Sequence, residues 1–126
     1  MKQVLVDTSV WLEHFRAHNQ ALVELLEWDV ALTHPMVIGE LACGTPPDRS
    51  RTLSDLASLQ QTQQASLVEV MTFIQREQLF GLGCGLIDLL LLASTLMTPG
   101  IELWTFDKRL SALASRFAVL HHPKVH

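Results

Sequence analysis

The segment from Leu82 to Ile101 has one charged residue, Asp88, among residues that are otherwise apolar, small or uncharged. Its pattern is compatible with a helix, and a helix that is apolar on nearly every side has to be buried. A buried carboxylate is costly unless it takes up a proton, meets a basic side chain or shares a cation with other acids. The segment therefore predicts a core helix whose single acid belongs to a functional site.

Three more acids stand in similarly apolar surroundings. Glu40 lies within PMVIGELACG, where a helical wheel places apolar or small residues on both sides of it, so we expect it to have no solvated face. Asp7 and Asp107 each follow a short apolar segment that is strand-like. Few basic residues flank Glu40 and Asp88. The acids that we expect to share one divalent-metal site are Asp7, Glu40, Asp88 and Asp107.

Short apolar strands alternate with helices along the chain. Strands are predicted at 3–6, 30–32, 101–106 and 117–120, and helices at about 8–16, 22–26, 35–43, 48–61, 66–79, 86–98 and 108–116. Because the strands lack clean polar alternation, they favour an α/β fold, in which helices cover both faces of a short parallel sheet. Functional groups gather at the carboxyl ends of such strands, where Asp7 and Asp107 lie. Glu40 and Asp88, on helices that follow turns, can lean over the same edge.

Composition limits the size, the partners and the compartment of the protein. The chain has 126 residues, of which 48% are hydrophobic, so we expect a single domain over 1–126 rather than a disordered chain. A net charge of −4 excludes a generally basic nucleic-acid-binding surface, so any such contact has to be local. The amino-terminal segment lacks a secretory pattern, and the longest apolar run, Leu86 to Met97, is too short to span a bilayer. We therefore expect a cytoplasmic protein with no membrane partner.

The cysteines and histidines show no metal-ligand spacing. Cys43 and Cys84 lie in apolar or glycine-rich segments and are predicted to be buried free thiols in a reducing cytosol. His121, His122 and His126 are predicted to be solvated. An acidic pocket without His or Cys ligands suits Mg²⁺ or Mn²⁺, which prefer oxygen ligands, better than it suits zinc.

Each acid also has a purely structural explanation. Asp7 and Asp107 are placed to cap helices, and Asp107 could instead pair with a surface base. Asp88 could lie in the first turn of its helix, where the helix dipole favours an anion. Glu40 has no basic residue three or four positions away and is the hardest to explain in this way. One shared site accounts for all of them, and its natural reaction is metal-assisted hydrolysis of a phosphodiester.

The motifs around these acids are VDTSVWLEHF at Asp7, IGELACG at Glu40, GLGCGLIDLLLLAS at Asp88 and LWTFDKRL at Asp107. Together they resemble the acidic motifs of PIN-domain ribonucleases, and most closely those of the VapC toxins of bacterial toxin–antitoxin pairs. The likeness covers essentially the whole chain, in order. By position, the four acids match the metal-binding, catalytic acids of that family. One departure is Leu89–Leu90, where relatives often have a small or polar pair.

The resemblance implies a PIN fold and a Mg²⁺- or Mn²⁺-dependent endoribonuclease, the toxin of a VapBC-type pair, which hydrolyses RNA phosphodiester bonds with a metal-activated water. It also implies a homodimer and a small cognate antitoxin that occupies the acidic pocket. Thr8, Ser9 and Thr105 stand where hydroxyl groups near the pocket are usual in the family. We expect these hydroxyl groups to hold the acids or to contact phosphate.

Basic and aromatic residues are secondary candidates for contact with RNA. Lys108 and Arg109 adjoin Asp107, and we expect them either to grip RNA phosphates at the rim of the pocket or to be solvated surface charges. The same two interpretations apply to Arg49 and Arg51. The tryptophans are predicted to be core or interface residues rather than platforms for base stacking, and they are Trp11, Trp28 and Trp104.

Two functions other than a nuclease are compatible with parts of this pattern. A doubly wound phosphatase or phosphotransfer domain also places an Asp after its first strand, but such phosphatases need a second Asp two residues later, where this chain has Ser9. A catalytically silent module could use the same fold only to dock a partner. The presence of all four acids disfavours that second alternative.

Overall fold

The computed structural model describes residues 1–124, so the prediction for His126 lies outside the described residues. Residues 1–124 form three strands and seven helices. In chain order these are β1 (Val4–Val6), α1 (Thr8–Ala17), α2 (Gln20–Glu27), β2 (Ala31–Leu32), α3 (Pro35–Ala42), α4 (Arg49–Ala57), α5 (Leu67–Glu77), α6 (Leu86–Met97), β3 (Glu102–Trp104) and α7 (Lys108–Arg116).

The strands form a parallel sheet in the order β2-β1-β3. Val4 of the central strand lies opposite Ala31 on one side and Glu102 on the other. All three residues of β1 are fully buried, which explains why this strand is apolar without alternation. The predicted α/β class and parallel sheet are confirmed. The parallel register brings the ends of β1 and β3, and hence the residues that follow them, to one edge of the sheet.

The helix α6 is the core helix that the apolar run predicts. Seven consecutive residues, 89–95, are buried in it. Ser94, within this stretch, accepts a hydrogen bond from the Ala65 backbone N–H at 3.0 Å and lies 3.2 Å from Nε2 of His34. Ser94 is therefore paired with neighbouring segments, whereas the hydroxyl of Thr95 donates to the Leu91 carbonyl within the helix. No helix within residues 1–124 has the length and apolar character needed to cross a membrane.

The largest errors in the predicted boundaries are at 48–61 and 117–120, and they have different causes. The helix predicted at 48–61 ends at Ala57, since Gln61 forms a parallel bridge with Thr33 and extends the sheet beyond β2. The strand predicted at 117–120 is reduced to one bridge between Leu120 and Leu103. The residues before Leu120 close α7 with a turn in which Ala118 has a positive φ of 60°.

Candidate metal centre

Asp7 is buried at the point where β1 passes into α1, with 5% of its surface exposed. It occupies the N-cap position of α1, yet its side chain forms no capping hydrogen bond. Its Oδ2 instead accepts hydrogen bonds from the hydroxyl groups of Ser9 and Thr105, each at 2.7 Å. Neither bond uses Oδ1. The capping explanation for Asp7 is therefore wrong, and the carboxylate is held in a fixed orientation with one oxygen left for another partner.

The two hydroxyl groups also tie the end of β3 to the start of α1. Ser9 Oγ accepts the backbone N–H of Phe106 at 3.0 Å, and Thr105 Oγ1 accepts that of Asp107 at 3.1 Å. Each hydroxyl thus donates to Asp7 and accepts from the loop that carries Asp107. These hydrogen bonds place Ser9 and Thr105 close to the acids, as expected from the sequence. The bonds hold Asp7 and Asp107 close together.

Asp88 and Asp107 lie at the beginnings of two different helices. Asp88 is half-buried in the first turn of α6, as its alternative explanation predicts. Asp107 is exposed and caps α7, with Oδ1 accepting the Leu110 backbone N–H at 2.9 Å. One ligand atom from each of Asp88, Asp107 and Cys84 lies within 4.8 Å of the other two. Asp107 can therefore cap α7 and belong to the cluster at the same time, because the cap uses only one of its two carboxylate oxygens.

The charges of the other three acids act on Asp88, although the tight cluster found within residues 1–124 contains only Asp88 and Asp107 of the four acids. The pKa of Asp88 is raised, first by burial and then by the negative charges of Asp7 and Asp107, with a smaller contribution from Glu40. A hydrogen bond from the Gly85 backbone opposes this rise. Among residues 1–124, none of the four acids has a Lys, Arg or His nitrogen within 4.0 Å. The pocket is a concentration of negative charge that no described base neutralises, and a cation would lower its free energy.

Glu40 corrects one expectation from the sequence. It is exposed, together with Gly39 and Cys43, although its neighbours on the helical wheel are apolar or small. The helix α3 turns Val37 and Leu41 into the core and leaves its opposite face to solvent. Thr8 reaches across from α1 and donates a hydrogen bond to Glu40 Oε1 at 2.7 Å. Glu40 therefore stands at the open rim of the pocket rather than inside it.

The basic residues near the pocket are largely engaged with backbone groups. Arg109 donates to the Gly83 carbonyl at 3.4 Å, and Arg49 donates to the Ala42 carbonyl at 2.6 Å. Arg51 lies 4.0 Å from Asp55 on the exposed face of α4. Lys108 is exposed beside Asp107. Arg109 and Arg49 thus hold turns in place, which makes Lys108 the base most free to meet a ligand at the rim.

Cys84 is the residue that the sequence analysis missed. The structure places it half-buried beside Asp88 and Asp107, and it places Cys43 on the surface, so the prediction of two buried thiols is wrong. The pKa of the Cys84 thiol is raised by burial and by the two acids, against the opposing effect of Arg109. The signal in the sequence was the four-residue separation of Cys84 and Asp88 across a glycine-rich helix start, which joins both to the same turn.

Two grooves are lined in part by Leu12 of α1. One, of about 230 Å³, lies towards Glu40 and the Pro46–Pro47 turn. The other, of about 520 Å³, is lined by Phe106 and by four residues of α1, which are Ser9, Leu12, Glu13 and Arg16. Leu12 and Phe106 are 56% and 46% exposed. Apolar surface of this kind beside a charged pocket is suited to contact with another molecule.

The tryptophans divide between the core and the surface. Trp11 and Trp104 are buried, as predicted for core residues. Trp28 is 69% exposed at the end of α2. Neither buried ring offers a face on which a base could stack.

The donor set of the pocket fits a hard divalent cation. Its carboxylates supply oxygen ligands, the ligands that Mg²⁺ and Mn²⁺ prefer. The excess negative charge around Asp88 is what a dication would offset. The fit rests on the chemistry of the donors and on the absence of a basic partner within residues 1–124.

Comparison with known proteins agrees with the geometry. The family model described as PIN domain matches residues 4–116. The chain is 46% identical over 116 residues to Ribonuclease VapC32 of Mycobacterium tuberculosis, in strains CDC 1551 / Oshkosh and H37Rv, and the match covers 92% of this chain and 94% of each relative. The resemblance that the acidic motifs carry is therefore confirmed, and the chain belongs to the PIN-domain family.

Proposed function

We propose that this protein is a VapC-type toxin, an endoribonuclease that uses Mg²⁺ or Mn²⁺ to hydrolyse RNA phosphodiester bonds. The observation that carries the proposal is the cluster at the sheet edge, in which ligand atoms of Asp88 and Asp107 lie within 4.8 Å of each other and Thr105 ties Asp7 to the backbone of Asp107. Its similarity to a ribonuclease along most of its length supports the same reaction. Family membership also disfavours the phosphatase alternative.

The ion would be held by Asp7, Asp88 and Asp107, with Glu40 at the open side. When bound, such an ion polarises a phosphodiester oxygen and lowers the pKa of water in its neighbourhood. The contribution of the protein is orientation. Ser9 and Thr105 hold Oδ2 of Asp7, which leaves Oδ1 for another partner, and Thr8 holds Oε1 of Glu40 in the same way. These hydroxyl groups limit the side-chain entropy that the acids would lose on binding a cation.

Substrate binding needs cations that the acidic pocket lacks. Lys108 is exposed at the start of α7, next to Asp107, and could contact an RNA phosphate on one side of the pocket. Arg109 lies beside it but donates to the Gly83 carbonyl, so we assign it chiefly to the turn. With a chain net charge of −4, productive contact with RNA depends on this local positive charge and on the bound ion.

The proposed partners are a small cognate antitoxin and a second copy of the chain, in the cytoplasm. The groove towards the Pro46–Pro47 turn has Glu40 in its lining, so an antitoxin segment lying there would also cover the rim of the acidic pocket. Val68 and Met71 on α5 are 74% and 57% exposed and supply apolar surface for self-association. Size measurement of the purified chain, alone and with its antitoxin, tests both partners.

The decisive experiment incubates the purified chain with total RNA and Mn²⁺ or Mg²⁺, with and without a chelator. Cleavage that requires the metal and stops with the chelator is the expected result. If the RNA stays intact with both Mn²⁺ and Mg²⁺, the nuclease proposal is contradicted and the catalytically silent binding module is favoured. Contaminating nuclease is controlled by the same preparation of an Asp88→Asn variant, which should be inactive.

A further inference from the structure

We propose that Cys84 is itself a ligand at this metal centre, so that the site accepts thiophilic divalent ions such as Cd²⁺, Co²⁺ and Zn²⁺ in addition to Mg²⁺ and Mn²⁺. The inference rests on the metal site of the proposed function. It changes the chemistry of that site, because one sulfur donor joins a set of oxygen donors. Soft thiolate ligands select ions that carboxylates alone bind weakly.

The geometry brings a sulfur and two carboxylates within reach of one ion. Ligand atoms of Cys84, Asp88 and Asp107 all lie within 4.8 Å of one another. Typical zinc bonds are about 2.3 Å to sulfur and about 2.1 Å to oxygen, so two donors on one tetrahedral ion lie roughly 3.5 Å apart. The widest gap in the cluster would therefore close by roughly 1 Å, a movement that side-chain torsions can supply.

The turn before α6 holds Cys84 in this position. Gly81 and Gly83 have φ angles of 72° and 88°, in the left-handed region that glycine adopts without strain. Arg109 lies directly across Gly83, where an added Cβ would meet the arginine Cδ at 2.6 Å. The arginine also donates to the Gly83 carbonyl. The thiol-bearing turn is thus packed against α7, the helix that Asp107 caps.

Metal ligation by Cys84 is a proton exchange and involves no redox change. The bond between Sγ and its hydrogen is replaced by a bond between Sγ and the metal, and the proton passes to the buffer. Cys43, the other cysteine of the chain, is exposed at the end of α3 and within residues 1–124 is not part of the cluster.

The test uses Cd²⁺ and Co²⁺ titrated into the purified full-length chain, read by the sulfur-to-metal charge-transfer absorption. The matched variant is Cys43→Ser, in which Cys84 is the only remaining thiol because the chain has 2 cysteines. We expect a saturable band at one ion per chain in the native protein and in Cys43→Ser. Adding Asp88→Asn to Cys43→Ser should weaken Cd²⁺ binding at least about tenfold, since even indirect partners of a metal cost that much. Cys84→Ser should abolish the band and keep Mn²⁺ binding.

The outcomes separate this inference from the proposed function. If Cys43→Ser binds Cd²⁺ without a charge-transfer band, Cys84 is not a ligand, while continued binding of Mn²⁺ leaves the carboxylate metal site standing. If the band appears but Asp88→Asn leaves the Cd²⁺ affinity unchanged, the thiol acts apart from the acids and the inference is overturned as well. If neither Cd²⁺ nor Mn²⁺ binds the native chain, both the inference and the proposed metal dependence are contradicted. None of these measurements requires Cys84→Ser to fold.

Discussion

The two carboxylate oxygens of Asp7 have different roles. One oxygen is held by the hydroxyl groups of Ser9 and Thr105, and the other is left for a ligand. Asp7→Asn keeps an oxygen that can accept both hydroxyl hydrogens, so we expect the fold to persist. It removes a charge from the pocket, so RNA cleavage should fall by at least about 100-fold, the upper range for disturbing a metal's surroundings.

The measurement for Asp7→Asn is RNA cleavage at fixed Mn²⁺ together with the melting temperature. The matched control is Asp29→Asn, at an exposed position with a positive φ of 57° that Asn tolerates well. Full activity in Asp7→Asn would contradict the proposed site. A melting temperature well below that of the control would mean that the loss is one of folding.

Asp88 gives a prediction about pH in the absence of metal. Burial and the other acids raise its pKa above the ordinary value of 3.8, so the folded protein binds more protons than the unfolded chain between the two values. Stability attributable to Asp88 is therefore present at or below its ordinary pKa and is lost as pH rises through the raised pKa. With a chelator present, Asp88→Asn should be more stable than the native chain at neutral pH, and the difference should shrink in acid.

Urea denaturation of both proteins in chelator, across a pH series from neutral to acidic, measures this difference directly. Subtraction cancels the titrating groups that are far from Asp88 and leaves the effect of Asp88 together with its interactions with Asp7, Asp107 and Glu40. A difference that is constant across the series would show that the raised pKa contributes nothing to stability.

At the scale of elements, His34 joins α3 to α6. Its Nδ1 accepts the Met36 backbone N–H at 3.0 Å as the cap of α3, and its Nε2 lies 3.2 Å from the Ser94 hydroxyl. His34 is the N-cap residue of α3, and its ring nitrogen is the capping acceptor. The tautomer with hydrogen on Nε2 satisfies both contacts, whereas protonation puts a hydrogen on Nδ1 and destroys the cap.

The pKa of His34 is lowered by burial below its ordinary value of 6.5. A group with a lowered folded pKa contributes stability that is present above 6.5 and is lost as pH falls through the folded value. His34→Asn keeps a neutral cap, so it should flatten this acid-side loss. It should also cost about 1–2 kcal/mol at neutral pH, because the contact with Ser94 and some buried volume are lost.

Urea denaturation at several pH values around 6.5 tests the role of His34. The matched control is His122→Asn, since His122 is exposed. The control should retain the pH dependence of the native chain. An equally steep acid-side loss in His34→Asn would show that other groups cause it.

For the whole molecule, metal binding and stability are linked. The acids come from the ends of β1 and β3 and from the helices α3 and α6, so an ion that bridges them binds the folded chain much better than the unfolded one. Free Mn²⁺ at about 100 times its dissociation constant should stabilise the fold by about 2.7 kcal/mol. The melting temperature should rise with Mn²⁺, and the rise should vanish in the combined Asp7→Asn and Asp88→Asn variant.

Thermal unfolding with increasing Mn²⁺ measures this linkage. Titration with a monovalent salt at matched ionic strength controls for general screening of the pocket. An unchanged melting temperature at saturating Mn²⁺ would contradict a shared site. A rise equal to that produced by the monovalent salt would reduce the effect to screening.

Features that depend on the local sequence pattern could be predicted, whereas features that depend on long-range packing could not. The buried helix around Asp88 follows from the sequence, because an apolar residue in every direction leaves no solvent-facing side. The central strand and the position of Asp7 at its end follow in the same way. The exposure of Glu40 does not, because a helical wheel shows which faces are apolar and not which face a neighbouring element covers.

The sequence by itself determined the elements, the order of the acidic motifs and the family, since these depend on residues that are close along the chain. Only the tertiary structure decided that Thr105 donates to Asp7 across a separation of 98 residues, and that Cys84 stands beside Asp88 and Asp107. The physical reason is that such contacts are set by how the parallel sheet aligns the ends of its strands and how α7 packs on the glycine turn. The four-residue separation of Cys84 and Asp88 is local, but no spacing in the sequence places Thr105 beside Asp7 or Cys84 beside Asp107.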